Sequence, residues 1–481
     1  MQYCFLQLIN GISCDRTDFP EKHPIDILSD ILQIYYGVSH HCKSGSMGFF
    51  ECMPSASIER EAGQGLTSWG LTKVEFVISF GQIPFIRTAA KGRAKGLGHL
   101  CGKEDLMATD IYERLARHLD DLPAGFPRTE SGVEMRILRR LFSPEDAELA
   151  LHLTLIPEEP RVIARRARIP VEEASKRLEE MVEKGLIFSR HQENKPSLYM
   201  ASPFAVGFWE AQVNKLDREL VQNAEEYSST YLEYSFWRGL PQLRTIPVGK
   251  SISMQTEVML YERAEELVRA QKTFAVGNCI CRQQKRILGE SCDRPEESCL
   301  SFGMAAETIV RSGRGRAISQ EEAVAILHRA EEVGLVLQPA NAKDALFICT
   351  CCGCCCGVLR SLKRTPVPAS LVVSPFLAHL NVDTCTGCGT CVRRCQMEAV
   401  YLADGKAALD LNRCIGCGLC VSTCPTDSLS LVRKPKAKQP RVPKDIIDTN
   451  IQLGKARGKL GIGKMVRMQV RSKLDRLLAP R

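Results

Sequence analysis

Between residues 382 and 431 one segment occurs twice, as VDTCTGCGTCVRRCQMEAVYL and LNRCIGCGLCVSTCPTDSLSL, offset by 29 residues. Each copy spaces its cysteines C-x2-C-x2-C-x3-C, through Cys385, Cys388, Cys391 and Cys395, then Cys414, Cys417, Cys420 and Cys424. Three thiolates at this step on a tight loop can cap three irons of a cubane. Gly387, Gly389, Gly416 and Gly418 let the backbone wrap closely, with amides available to the sulfides. Zinc requires only four ligands per ion, which leaves the third cysteine and the x3 step unexplained in both copies.

These residues resemble a bacterial-type ferredoxin domain carrying two [4Fe-4S] clusters, over about 50 residues. In that family the fourth cysteine of each copy ligates the other cluster. The resemblance therefore implies one cluster on Cys385, Cys388, Cys391 and Cys424, and the other on Cys414, Cys417, Cys420 and Cys395. One position departs from the pattern: Pro425 follows the last cysteine of the second copy, but Gln396 stands there in the first. Proline shapes that loop without being a ligand, so the departure is expected to alter potential or stability more than occupancy.

The chain of 481 residues is long enough for about three domains. Its 44% hydrophobic and 25% charged residues allow sizeable buried cores. A net charge of +8 is modest at this length and does not by itself point to nucleic acid. No apolar run is long enough to span a bilayer, and the start lacks the basic and small-residue signature of a secretory signal. Of the 23 cysteines, most cluster at metal-ligand spacings beyond residue 278, so a reducing, anaerobic cytoplasm fits better than a disulfide framework.

A second sulfur-rich stretch, ICTCCGCCCG, covers residues 348–357. Counting by threes gives Cys349, Cys352 and Cys355, the same step as in the repeat, but a fourth thiolate must come from elsewhere. Upstream, NCICRQQKRILGESCDRPEESC offers Cys279, Cys281, Cys292 and Cys299. These residues suggest at least one further iron–sulfur cluster, in one joint site or in separate ones. Cys351 and Cys354 are also three apart, adjacent thiols can form strained disulfides, and dense cysteine loops bind soft metals unselectively. Arg282, Lys285 and Arg286, and then Arg360, Lys363 and Arg364, supply cations that would offset a cluster's negative charge, unless they are solvated or meet an acidic redox partner.

Ahead of this, residues 133–201 read as three helices and a hairpin. Ser143 is the expected N-cap before Pro144, Gly185 the expected C-cap of VEEASKRLEEMVEKG, and GLIFSR and PSLYMA the expected strands. This resembles a winged helix-turn-helix domain, a fold best known from DNA-binding regulators. Helix 171–185, however, carries five glutamates against Lys176, Arg177 and Lys184, a poor surface for phosphates. Arg161, Arg165, Arg166 and Arg168 on the preceding helix keep DNA in view, but a packing or partner-binding role is favoured. Residues 1–106 lack sustained periodicity and read as an upstream extension from a misplaced start, with a poorly patterned domain as the alternative. Residues 206–272 read as a helical connector, and 434–481 as a basic linker with a solvated tail helix.

From about Met107 onward the chain resembles larger ferredoxin-type proteins of anaerobic bacteria. The expected architecture is α+β and multidomain: a winged-helix-like domain at 107–205, a helical cysteine-rich region at 273–366, and a small dicluster domain at 367–433. An electron carrier serving redox protein partners is the leading reading, and no dinucleotide, P-loop or hydrolase motif suggests an independent enzyme. A redox-responsive transcription regulator and an oxidoreductase with a catalytic cluster in the middle region are the alternatives.

Overall fold

A computed structural model describes residues 110–480 except 238–239 and 254–255. The segment 1–106 therefore lies outside the described residues. All described residues fall in one compact unit, Cys101–Arg481.

The front of this unit carries α1 (Ile111–Asp120), α2 (Val133–Leu141), α3 (Pro144–Ala150), α4 (Pro160–Ala167) and α5 (Val171–Lys184). A hairpin of β1 (Ile187–Gln192) and β2 (Lys195–Ala201) follows. Ser143 accepts from the Asp146 N–H at 3.1 Å while the Asp146 carboxylate accepts from the Ser143 N–H at 3.2 Å, a reciprocal box that starts α3. Such a cap contributes about 1 kcal/mol. Gly185 ends α5 at φ +80°, a left-handed conformation that suits glycine. Leu115, Ile137, Leu138, Ile163 and Leu178 are fully buried between these helices. The next helix, α6 (Arg218–Trp237), adds Tyr227 and Tyr231 to the same core, where Phe204 meets their rings edge-on at 5.1 and 5.0 Å.

The middle region departs from the helical expectation. After α7 (Ala264–Arg269), a five-stranded antiparallel sheet of order β5-β3-β4-β7-β6 is formed. Its strands are β3 (Phe274–Asn278), β4 (Glu297–Phe302), β5 (Gly315–Ile318), β6 (Val336–Pro339) and β7 (Phe347–Cys351). Between and after them run α8 (Ile280–Leu288), α9 (Gly303–Arg311), α10 (Gln320–Glu332) and α11 (Gly357–Arg364). The strands hold only four to six residues and β6 is buried throughout, so no alternation long enough to reveal them exists in the sequence. Residues 243–246 extend this sheet's edge, with Ile246 donating to Leu337 O at 3.2 Å.

In the third part, β8 (Phe376–Leu380) pairs with β11 (Leu429–Arg433), the first strand with the last. Between them lie α12 (Thr390–Arg394) and a hairpin of β9 (Val400–Ala403) and β10 (Lys406–Leu409). The C-terminal segment, expected as a solvated tail, instead folds back as α13 (Ile446–Ala456) and α14 (Ile462–Leu478). Arg165 and Arg166 of α4 each reach Asp475 of α14 at 2.6 Å, and Arg166 also grips Glu158, which accepts from Ser472 Oγ. Arg166 is 3% exposed and Glu158 1%, so the ion pairs seal a dry seam between chain regions about 310 residues apart.

Candidate metal centres

The ferredoxin-like repeat builds two thiol-lined cavities. Cys385, Cys388, Cys391 and Cys424 line one, with Gly387, Gly389 and Ala407 beside them. Cys395, Cys414, Cys417 and Cys420 line the other, with Gly416 and Gly418. Each cavity thus takes three cysteines from one copy and the last cysteine from the other copy.

Glycine is required at the turns. Gly387 and Gly416 have φ of +68° and +69°, and a side chain at either would drive Cβ to within 1.9 Å of Gly405 O or 2.2 Å of Phe376 O. Backbone amides point at the sulfurs: Gly387 and Ala407 donate to Cys385 Sγ at 3.4 Å, Ala399 to Cys395 Sγ at 3.2 Å, and Ala378 to Cys414 Sγ at 3.4 Å. Burial pushes the Cys417 thiol up to about 12. The donor set, the tight glycine turns and the amide shell all fit an iron–sulfur cluster in each cavity.

The middle region divides its sulfur into two groups. Cys292, Cys352, Cys354 and Cys355 bring their Sγ atoms within 4.8 Å of one another. Cys354 lies 3.7 Å from Cys355, and Cys355 lies 3.6 Å from Cys292. Burial pushes the Cys292 thiol up, but the Arg294 N–H, the thiols of Cys355 and Cys354 and the Arg294 guanidinium outweigh it, leaving Cys292 lowered to about 7. Arg294 Nη1 donates to Cys354 Sγ at 3.5 Å.

The other group is a run of neighbouring thiols. Cys279 meets Cys281, Cys281 meets Cys356, Cys356 meets Cys351, Cys351 meets Cys349, and Cys349 meets Cys299. Sheet register explains its core. Leu300 pairs with Ile348 across β4 and β7, which sets Cys299 opposite Cys349, and period two puts Cys351 on the same face as Cys349. Helix starts complete it: Cys279 is the N-cap of α8 and Cys356 the N-cap of α11, and the Gly357 N–H donates to Cys281. Amides and the positive end of a helix both favour an anionic thiolate centre.

The spacing Cys349, Cys352, Cys355 therefore does not act as one loop. Cys349 lies on β7 in the longer run with Cys279, Cys281 and Cys299, while Cys352 and Cys355 join Cys292 in the compact group. Cys351, Cys354 and Cys356, which the counting by threes passed over, complete the two groups. The alternation of β7 was the signal that could have separated them.

Of the basic neighbours, Arg282 faces the sulfur. It is 4% exposed, and its guanidinium donates to Pro295 O, Ser298 Oγ and Thr350 O at 2.6–2.7 Å and also meets Cys352. Its Nε has no hydrogen-bond partner. Burial alone would lower its pKa, but Cys279, Cys352 and Cys351 as thiolates raise it, so sulfur provides its countercharge. Lys285 and Arg360 instead share Glu225 of α6, Arg286 pairs with Glu296, and Lys363 with Glu398.

The two sulfur-rich domains touch at Gln396. Its Oε1 accepts from the Gly353 N–H at 2.8 Å, and a Cβ on Gly353 would come within 2.2 Å of Gln396 O. The residue that departs from the ferredoxin pattern thus sits beside Cys395 of one cavity and caps the turn between Cys352 and Cys354.

A family model for a 4Fe-4S dicluster domain matches residues 378–431, the stretch that builds both cavities. No curated protein and no solved structure matches the chain. The dicluster match supports at least one [4Fe-4S] cluster in an iron–sulfur protein, and the middle region adds a cysteine group able to hold a metal. Among the described residues no helix is long and apolar enough to cross a membrane.

Proposed function

We propose that the chain is an electron-transfer protein with two [4Fe-4S] clusters in the C-terminal domain and a further cluster in the middle region. The observation that carries this reading is the division of Cys385, Cys388, Cys391 and Cys424, and of Cys395, Cys414, Cys417 and Cys420, around two cavities. A cubane in each would pass single electrons. The protein's own part is to shape the loops with glycine, aim amides at sulfur and bury the thiolates, which together tune potential. The middle cluster would use the run from Cys279 to Cys299, supported by the buried Arg282 and the two helix starts. The Gln396 to Gly353 contact offers continuous covalent and hydrogen-bonded structure between Cys395 and the middle region, as an internal relay requires.

The front domain is read as a winged helix used for packing and partner contact. A transcription-regulator reading loses three of the four arginines that favoured it, since Arg161 bonds Arg476 O and Ala479 O of the C-terminal segment while Arg165 and Arg166 are held by Asp475; Arg168 stays exposed. The partner is read as a redox protein.

Anaerobic iron and acid-labile sulfide analysis of the full chain tests the cluster count. Sulfide of about twelve per chain is expected, at four per cubane. Sulfide of about eight would remove the middle cluster, and none would overturn the reading.

A further inference from the structure

We propose that Cys292, Cys352, Cys354 and Cys355 hold one tetrahedral thiophilic ion, Zn(II) or Fe(II), separate from every iron–sulfur cluster. A metal–sulfur bond of about 2.3 Å gives a tetrahedral S···S edge of about 3.8 Å. The separations of 3.7 and 3.6 Å, with all four sulfurs inside 4.8 Å, have that size. A cubane binds each thiolate to a different iron, so its ligands surround a cavity instead of converging on a point. The two ferredoxin-like sets do surround cavities. Among the described residues no other three Cys, His, Asp or Glu donors converge as closely as the Cys292 group.

The surroundings suit a closed tetrathiolate site. Cys352 and Cys355 are 1% and 2% exposed, so two ligands are withdrawn from water. Four thiolates around a divalent ion leave two negative charges, and Arg294, which donates to Cys354, offsets one of them. Gly353 gives the turn that presents Cys352, Cys354 and Cys355 together, held by Gln396. Tetrahedral S4 coordination selects zinc or iron among the common ions.

The inference stands apart from the number of clusters, because a cubane contains iron and sulfide in equal amounts. The test is total zinc plus iron minus acid-labile sulfide in the anaerobically purified full chain. An excess of about one metal per chain is expected however many cubanes are present, at one ion per tetrathiolate site. The excess metal, zinc or iron, decides between the two ions. Cys354→Ser should lower the excess with sulfide unchanged. Equal metal and sulfide in the wild type would overturn the proposal, as would a parallel fall of iron and sulfide in the variant. If the variant does not fold, X-ray absorption of the wild type decides: a zinc edge, or an iron component, with a sulfur shell near about 2.3 Å and no metal neighbour supports the site, and its absence overturns it.

Discussion

The C-terminal domain and the middle domain share the step C-x2-C-x2-C but fold it into different shapes. In the repeat, positive-φ glycines curl each loop so that its thiols open onto a cavity that the other copy's last cysteine completes. In the middle domain the same step begins on a strand and ends at a helix start, so Cys349 faces one group and Cys352 and Cys355 another. The local backbone, more than the interval between cysteines, decides whether thiols surround a cavity or converge on a point.

The largest expected effect separates the two shapes outright. Cys420→Ser should remove one cubane, lowering iron and sulfide together by about four each, with the middle centres retained. Loss of iron alone would erase the distinction between cavity and point. Gly353→Ala should come next. Its methyl group meets Gln396 O, an overpacking cost of about 1–3 kcal/mol. Metal analysis should show loss from the compact group while the dicluster signals in EPR persist.

Gln396→Pro restores the residue found after the last cysteine of the second copy and leaves the buried Gly353 N–H without its acceptor. A stability loss of about 1–3 kcal/mol in urea unfolding is expected, with the iron of the C-terminal domain unchanged. A neutral result would mean that the two domains do not depend on this contact. Smallest of the four, Arg294→Ala removes the donor to Cys354 and should weaken retention of the compact group's metal about 10-fold against a chelator, leaving sulfide content untouched.

The cysteine and glycine spacing of the two loops was legible in the sequence because it is a local property, whereas the exchange of Cys395 and Cys424 between the two cavities was implied only by the resemblance to ferredoxins. The caps at Ser143 and Gly185 were legible because they too are local. The middle sheet was not, since its strands are too short to show a period and pair across up to about 50 residues. Arg282 could be named as a cation near sulfur, but its burial among neutral acceptors is a tertiary fact. The docking of α14 was equally hidden: KLDRLL reads as a solvated basic helix until Asp475 meets two arginines of α4. Gln396 was visible only as a departure, and its partner, Gly353, lies 43 residues away.

The most direct measurement is an anaerobic reductive titration of the full chain followed by EPR. The account predicts reversible uptake of one electron per cubane, with the reduced spectrum split by magnetic coupling between the two clusters of the C-terminal domain. A protein that takes up no electrons, or whose thiols hold zinc throughout, would contradict it.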